Sequence, residues 1–259
     1  MNIAVSSIVI FLLLLPGIVF RRFYFTEEFS KQYFKQNFFE LFVSSIIPSV
    51  FIHFFLSFGS AIIGNHIDLE ILGQLLTYRG YPEEAFKNIQ NNINKIATYY
   101  IISLIIGIIC GYFSKKIIRN FNFDSRKKIF RFKNSWHYIF SGEFFNFPRA
   151  SFDLIEDSFD IIDFIYIDAL VESSEGTIIY DGILVDYELS NNGGLDNITL
   201  KNVQRRMMKD DAEKKYYEIP GHIMVIPFET VINLNFSYYK LTEIEGNDNA
   251  VEIIPELVK

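Results

Sequence analysis

Long runs of apolar residues lie in the first half of the chain, whereas the second half has none. Residues 3–20, 41–63 and 96–113 contain no Asp, Glu, Lys or Arg. Each run is about as long as the ~18–20 residues with which a helix crosses the hydrocarbon core of a bilayer. The pattern therefore predicts three transmembrane helices followed by a water-exposed domain.

The first of these runs has the position of a signal peptide but not its flanking residues. A signal peptide carries basic residues before the apolar stretch and small residues at a cleavage site after it. Here no basic residue precedes the run, the pair Arg21 and Arg22 follows it, and bulky residues end it. We therefore expect a retained helix.

From about residue 164 the apolar and polar residues alternate with the period of a β-strand. Turn residues separate the alternating stretches 164–173, 177–190, 195–206 and 221–226, and a last short strand follows "PFET". Short strands of this kind, with a glycine inside the second, are typical of a small β-barrel. The predicted fold is an α+β membrane protein in which three transmembrane helices precede a small SH3-like or Sm-like β-barrel.

These patterns divide the chain into regions with different compositions. In chain order they are a transmembrane region at 1–119 with an external loop at 64–95, a basic and aromatic linker at 120–163, the barrel at 164–243, and an acidic tail at 244–259. Within the external loop, Pro82 followed by two glutamates is typical of a helix start. We expect that helix to run to about residue 119.

Basic residues flank the apolar runs unevenly, and this predicts an orientation. Clusters of Lys and Arg follow the first and third runs, whereas loop 64–95 has only Arg79, Lys87 and Lys95. Because basic loops stay on the cytoplasmic side, we expect the N-terminus outside and residues 114–259 in the cytosol. The predicted location is the inner membrane of a bacterium.

The charge is strongly polarised along the chain. Residues 114–149 hold nine basic and two acidic residues, whereas residues 150–259 hold eight basic and 22 acidic residues. The basic block suits anionic lipid headgroups, while the acidic domain would repel the phosphates of a nucleic acid. The residues that we expect at the membrane surface are Arg21, Arg22, Lys115, Lys116, Arg119, Arg126, Lys127 and Lys128.

Two polar or small-residue features stand out inside the runs. His53 is a candidate for proton transfer or for the lining of a pore, because ionisable groups within a membrane are commonly functional; a neighbouring serine would instead satisfy it. Gly107 and Gly111 form a G-x-x-x-G pattern that favours helix packing and oligomerisation.

Aromatic residues mark two further segments. Phe25, Phe29 and Tyr33 recur at helical spacing and suit either an interfacial helix or a connector that packs on the cytosolic domain. A second set supplies a wide apolar face that suits the membrane, the barrel or a sister subunit. Its members are Trp136, Phe140, Phe144 and Phe147.

The acidic residues Asp181, Asp186 and Asp196 lie in or beside the predicted strands. Because side chains alternate between faces, Asp181 shares the parity of Ile179 and Ile183, which we assign to the core, whereas Asp186 does not. Unless Gly182 forms a bulge, these two carboxylates point to opposite faces and do not share a ligand. We interpret these acids as structural polar residues of the barrel and not as a ligand-binding site.

Sequence motifs for catalysis are absent. The chain has one cysteine and four scattered histidines, so neither a disulfide framework nor a zinc ligand set is indicated. It has no P-loop, G-x-G-x-x-G, G-x-S-x-G or His-Glu-x-x-His motif. We predict no catalytic, cofactor-binding or metal-binding residues and no enzymatic activity.

Several segments together resemble a family. The segments "LLPGIVFRRFYF", "SWHYIFS" and "GTIIYDGILVDYELS" are similar to those of bacterial membrane proteins of unknown function. Those proteins pair a few N-terminal helices with a cytosolic Sm-like or PRC-barrel-like domain. The resemblance implies that architecture and no catalytic residues, and some such proteins look like accessory proteins of mobile or defence islands.

Three functional hypotheses follow. The first is a membrane protein, expected to be a homo-oligomer, whose cytosolic barrel binds a protein partner or a sister subunit. The second is a ligand-gated membrane effector of antiphage defence, in which Lys201, Arg205 and Arg206 would form the ligand patch. The third is a subunit of an oligomeric channel or transporter.

Overall fold

The fold was analysed in a computed structural model that describes residues 2–34, 37–77, 82–148, 162–174, 176–190, 193–209, 216–245 and 251–258. The chain divides into two compact units, unit 1 at 1–124 and unit 2 at 125–259. Unit 1 is helical, and unit 2 consists mainly of antiparallel strands.

Helices account for most of the described part of unit 1; α7 spans the boundary between the units, and α8 belongs to unit 2. In chain order they are α1 (Asn2–Tyr24), α2 (Ser30–Phe34), α3 (Phe38–Ile62), α4 (Leu69–Thr77), α5 (Pro82–Asn91), α6 (Ile93–Asn120), α7 (Phe123–Arg126) and α8 (Ser135–Phe140). Three of them are long and apolar enough to cross a membrane: Val5–Tyr24, Phe38–Ile62 and Ile93–Asn120. The three predicted spans are therefore present as helices, and the helix expected from residue 82 is interrupted at Asn92.

Helix α1 packs against both α3 and α6, and glycines let the backbones approach closely. A side chain at Gly17 would collide with Ser45 and Ser49 of α3, and one at Gly111 would collide with the Phe20 carbonyl of α1. At Gly107 a Cβ would lie 2.7 Å from the Pro16 carbonyl oxygen. The G-x-x-x-G face is thus used between α6 and α1 of one chain, so contact between two copies would require another face.

The segment after α1 folds back onto unit 1. A 3₁₀ turn at Glu27–Phe29 leads into α2. Phe25 and Phe29 are only 5% and 0% exposed, respectively. Their rings therefore belong to the interior of the helical unit and do not face the headgroups as one of our two interpretations expected.

The strands of unit 2 form a curled antiparallel half-barrel. They are β1 (Phe164–Ser173), β2 (Gly176–Leu189), β3 (Leu195–Met207), β4 (Tyr217–Glu218), β5 (Met224–Pro227), β6 (Val231–Glu245) and β7 (Val251–Leu257). The strand order is β4-β3-β2-β1-β6-β7, and β5 also pairs with β3. Strands were thus predicted at nearly the right places, although β6 is long where a short strand was expected.

The end of the chain adds a strand to the sheet. Strand β7 pairs with β6 from Glu245↔Val251 to Tyr239↔Leu257. The prediction of a tail at 244–259 does not describe this part of the chain, because its alternating apolar residues complete a hairpin with β6.

The core of unit 2 is completed by α8, which precedes the sheet in the chain. Phe140 is 8% exposed and belongs to the same cluster as Ile167, Ala169 and Leu200. Its ring lies 4.5 Å from Tyr187, and Trp136 lies 5.5 Å from Phe228, between centroids. Among the three surfaces proposed for these aromatic residues, Trp136 and Phe140 thus use the sheet.

Strand β2 changes the face that it turns to the core, and this corrects the parity prediction. Asp181 pairs with Asp168 of β1, whereas the neighbouring pair Ile167↔Gly182 is on the core side. The β2–β3 register shifts before and after Leu184, so that Tyr187, an odd position, again packs on the core. Asp181, Ile179 and Ile183 therefore face away from the core.

Candidate functional site

The basic residues that flank the long apolar helices are divided between internal pairs and exposed surface. Lys115 has 9% of its side chain exposed and binds Glu27 at 2.7 Å and Glu28 at 3.6 Å. Its ammonium group also donates to the Thr26 carbonyl at 3.2 Å. The hydrogen bond and the charge of Lys115 lower the pKa of Glu27. Lys115 thus ties α6 to the turn after α1, and its ammonium group is turned into unit 1 where the prediction expected it at lipid headgroups.

Three other cations of the predicted set also contact side chains of unit 1, either an acid or an aromatic ring. Arg119 binds Asp124 at 2.8 Å, and its guanidinium lies 5.6 Å from the centre of the Phe29 ring. Arg21 lies over Phe25 at 5.0 Å, and Arg22 lies 5.8 Å from the Tyr33 ring. The members of the predicted set with exposed side chains and no such packing are Lys116, Arg126, Lys127 and Lys128.

A polar network crosses unit 1 around Pro16, which lies inside α1. Proline has no N–H, so the helical hydrogen bonds around it are disturbed. The Gly17 N–H donates to Ser49 Oγ at 2.9 Å, and Ser49 Oγ donates to the Leu14 carbonyl at 3.0 Å. The Leu13 carbonyl, four residues before Gly17, binds His53 Nε2 at 2.9 Å. Two side chains of α3 thus replace hydrogen bonds that α1 lacks.

The same network assigns the tautomer of His53. A carbonyl oxygen only accepts, so Nε2 carries the proton that binds Leu13. In the neutral ring Nδ1 then accepts from the Tyr99 hydroxyl of α6 at 2.7 Å, and Ser57 in turn hydrogen-bonds Tyr99. Both ring nitrogens of His53 therefore have hydrogen-bond partners, Leu13 on α1 and Tyr99 on α6, and the role of His53 here is structural. The sequence suggested a serine as its partner, and Ser57 takes part only through Tyr99.

Asp181 lies in a polar cluster on the outer face of the half-barrel. It is 2% exposed and lies directly opposite Asp168, which accepts a hydrogen bond from Asn235 at 2.9 Å. Tyr216 hydrogen-bonds the Asp181 carboxyl group and accepts a bond from Arg206 Nε at 2.9 Å. The sequence interpretation missed Asp168, which only the pairing of β1 with β2 brings opposite Asp181.

Burial controls the protonation of this cluster. It raises the pKa of Asp181 to about 6, helped by the charge of Asp168 and opposed by Arg206 and Tyr216. Burial, followed by the charges of Asp181 and Asp168, raises the pKa of Tyr166 to about 12. The arrangement holds a carboxyl group that gains a proton near neutral pH.

The acids do not converge on a ligand. Asp186 is exposed, and its five-residue separation from Asp181 corresponds to about 16 Å along a strand. Asp196 is exposed at the start of β3. Within the described residues, no group of three or more His, Cys, Asp or Glu side chains is placed to hold a metal ion.

The cations of the predicted ligand patch are separated by the sheet. Arg205 and Arg206 are consecutive in β3 and therefore point to opposite faces. Arg206 binds Tyr216 beside Asp181, and Lys201, opposite Ile183, lies on the same face but about 16 Å away along the strand. The three side chains do not form one anion-binding surface.

Exposed apolar side chains lie at both ends of the sheet. Strand β7 is last in the strand order, and its Ile253 and Leu257 are 59% and 47% exposed. On β5, at the other end, Val225 is 52% exposed. A depression of about 330 Å³, whose described lining is Gly176, Thr177, Met207, Met208 and Lys209, lies where β2 begins and β3 ends.

Comparisons with known proteins give no relative from which a function follows. No family model matches the chain, and neither a curated protein nor a solved structure matches it. The resemblance to bacterial proteins with an Sm-like or PRC-barrel-like domain stays an expectation.

Proposed function

We infer that this chain is a non-enzymatic protein of the bacterial inner membrane whose cytosolic half-barrel binds a partner protein. The open edge of β7 carries this proposal. Its backbone donors and acceptors on the side away from β6 have no partner strand in the part of the chain that the structure describes. Such an edge accepts an extended segment of another chain by strand addition.

The side chains near this edge indicate the chemistry of the partner. Residues 240–259 contain five acidic and two basic residues. Among the acids, Glu243 is exposed, Glu256 is exposed and bound to Lys240 at 3.2 Å, and Ile253 and Leu257 supply apolar surface. An extended segment with alternating basic and apolar side chains would satisfy both the charge and the apolar surface. We therefore propose a basic, β-prone segment of a partner protein as the occupant.

The helical unit supplies the anchor in this proposal. Three helices long enough to span a bilayer and the uneven distribution of basic residues support an arrangement with the N-terminus outside and unit 2 in the cytosol. The network around Pro16 and the buried Lys115 hold these helices together. Unit 1 would thus keep the half-barrel at the membrane, where its partner is captured.

Site-specific crosslinking in native membranes tests the proposal. A photoreactive amino acid replaces Ile253 in the full chain, and the matched control replaces Val185, which is 52% exposed on β2. We expect a discrete crosslinked partner at position 253, mapped to a basic extended segment, and several-fold less of it at position 185. Equal crosslinking at both positions would overturn the assignment of the edge.

Charge substitutions at the same edge give the second measurement. Ile253→Lys and Leu257→Lys add the repulsive charges with which natural edge strands avoid pairing, and both sites are exposed enough to leave the fold intact. A synthetic peptide with the sequence of the mapped partner segment should no longer bind these variants but should still bind Val185→Lys. A crosslink from position 253 to a second copy of the chain would show that a sister subunit, and not another protein, occupies the edge.

A further inference from the structure

A short basic loop near the start of unit 2 carries an exposed apolar tip. We define it as the tip loop, Arg126–Phe130. Ile129 is 87% exposed and Phe130 is 42% exposed, while the three preceding basic side chains are also exposed. Large apolar side chains beside cations suit the boundary between headgroups and acyl chains better than water.

The tip loop is clamped at its base. Arg131 Nη2 donates to the Ser125 carbonyl at 2.9 Å, and the same guanidinium lies 3.4 Å from the centre of the Phe147 ring. Phe132 is 3% exposed, and its N–H donates to the Tyr138 hydroxyl at 3.3 Å. The exposure of Ile129 is therefore set by a defined turn, whose flanking residues are bonded to the body of unit 2.

The sequence tethers this loop to the membrane surface. Arg126 follows Asn120, the last residue of α6, by six positions. An extended chain spans at most ~3.3–3.6 Å per residue, so the tether is no longer than about 20 Å. A loop so close to the end of a membrane-spanning helix meets the headgroup region at high effective concentration.

We propose that the tip loop is a lipid-binding device that inserts Ile129 and Phe130 into the adjacent leaflet. Arg126, Lys127 and Lys128 then bind anionic headgroups, each cation strengthening the contact roughly fivefold. The residues from 125 to 133 include no acid, so the charge of the whole segment complements an anionic surface. This contact orients unit 2 on the membrane and is independent of partner binding at β7.

The structure also distinguishes this device from a simpler alternative, in which all the basic residues beside the apolar helices bind headgroups through charge alone. Lys115 and Arg119 are bound to acids of unit 1, so they are not available to lipid. A contact by the tip loop therefore requires both charge and apolar insertion, whereas the alternative requires charge alone. Substitutions at Lys127, Lys128 and Ile129 separate the two mechanisms.

Hydrogen–deuterium exchange of the full chain in lipid nanodiscs measures the contact. The discs contain either phosphatidylcholine alone or phosphatidylcholine mixed with phosphatidylglycerol. We expect backbone exchange of the tip loop to be about tenfold slower in the anionic discs, with partial recovery at high salt because headgroup attraction is screened. Equal exchange in the two kinds of disc would overturn the proposal.

Variants identify the contribution of each part. Lys127→Gln with Lys128→Gln should remove the difference between the discs, while Ile129→Ser should speed exchange of the tip loop in the anionic discs. The matched control Lys209→Gln, at another exposed position of unit 2, should change neither. Protection that survives all tip-loop substitutions, or that appears only when another protein is added, would contradict lipid binding.

Discussion

Asp181 and Asp168 lie directly opposite each other on neighbouring strands, a position in which like charges repel. Their local surroundings differ, because Asp168 is partly exposed whereas Asp181 is buried. Proton uptake by Asp181 relieves both the repulsion and the cost of burying a charge. At the residue scale, the outer face of the half-barrel therefore contains a group that responds to pH.

Substitution of Asp181 should change how the stability of unit 2 depends on pH. A folded-state pKa of about 6, above the usual 3.8, contributes stability that is complete below pH ~4 and is lost as pH rises through about 6. Asp181→Asn should therefore stabilise unit 2 at pH 8 by about 1–3 kcal/mol and have less effect at pH 4. Urea unfolding in detergent, followed by the fluorescence of Trp136, the one tryptophan in the chain, measures this.

The groups around Asp181 define the control for this experiment. Asp168 and Tyr166 face it from β1, Arg206 faces it from β3, and Tyr216 faces it from the residue before β4. Asp186→Asn, at an exposed position of the same strand, should leave the pH profile unchanged. An identical pH profile for Asp181→Asn and the unaltered chain would refute the assignment.

Helix α1 shows how one element depends on its neighbours. Pro16 lies in its interior, and the hydrogen bonds from Ser49 and His53 come from α3. Because the bilayer core offers no water to a free carbonyl group, these bonds must come from protein. His53 therefore serves the backbone of α1, and a role in proton transfer is not needed to explain its position.

A double-mutant cycle tests this dependence. Pro16→Ala removes the ring that distorts α1 and restores an N–H for the Leu12 carbonyl, so that the next N–H, of Gly17, can return to the Leu13 carbonyl. His53→Ala should then cost about 1 kcal/mol less in the Pro16→Ala background than in the unaltered chain. Unfolding by sodium dodecyl sulfate, followed by circular dichroism, measures the four proteins. Equal costs in both backgrounds would contradict the repair of α1 by His53, and His66→Ala, in an exposed loop, is the control.

The whole molecule consists of two units with separate interiors. The boundary of the second unit lies well before the first strand, because α8 contributes Phe140 to the core of the sheet. A barrel that began at residue 164, as the alternation of residues suggested, would lack this ring. The globular unit thus includes much of the segment that composition alone describes as a linker.

Two fragments distinguish these boundaries. Fragment 125–259 should fold, whereas fragment 164–259 should not, since loss of a buried phenylalanine alone costs about 3–5 kcal/mol out of a typical total of ~5–15. Thermal unfolding by circular dichroism should show a cooperative transition in the first fragment only. Phe140→Ala in the longer fragment should lower its midpoint, and a cooperative transition of fragment 164–259 would show that α8 is dispensable.

The sequence by itself determined the three long apolar helices and the approximate positions of most strands along the chain, but not their order in the sheet. A membrane-spanning helix needs about 18–20 apolar residues, and a strand shows its period of two wherever one face is buried. These are local requirements, so the residues of each element suffice to reveal them. The switch of faces within β2 was not visible, because a register shift depends on the pairing of β2 with β3.

Only the tertiary structure decided which polar groups are free. Lys115 and Glu27 are 88 residues apart in the chain, and His53 and Tyr99 are 46 apart. No periodicity links such residues, because their contact arises from the packing of separate helices. Composition therefore located the basic residues beside the long apolar helices, while folding paired Lys115 and Arg119 with acids and left the tip loop exposed.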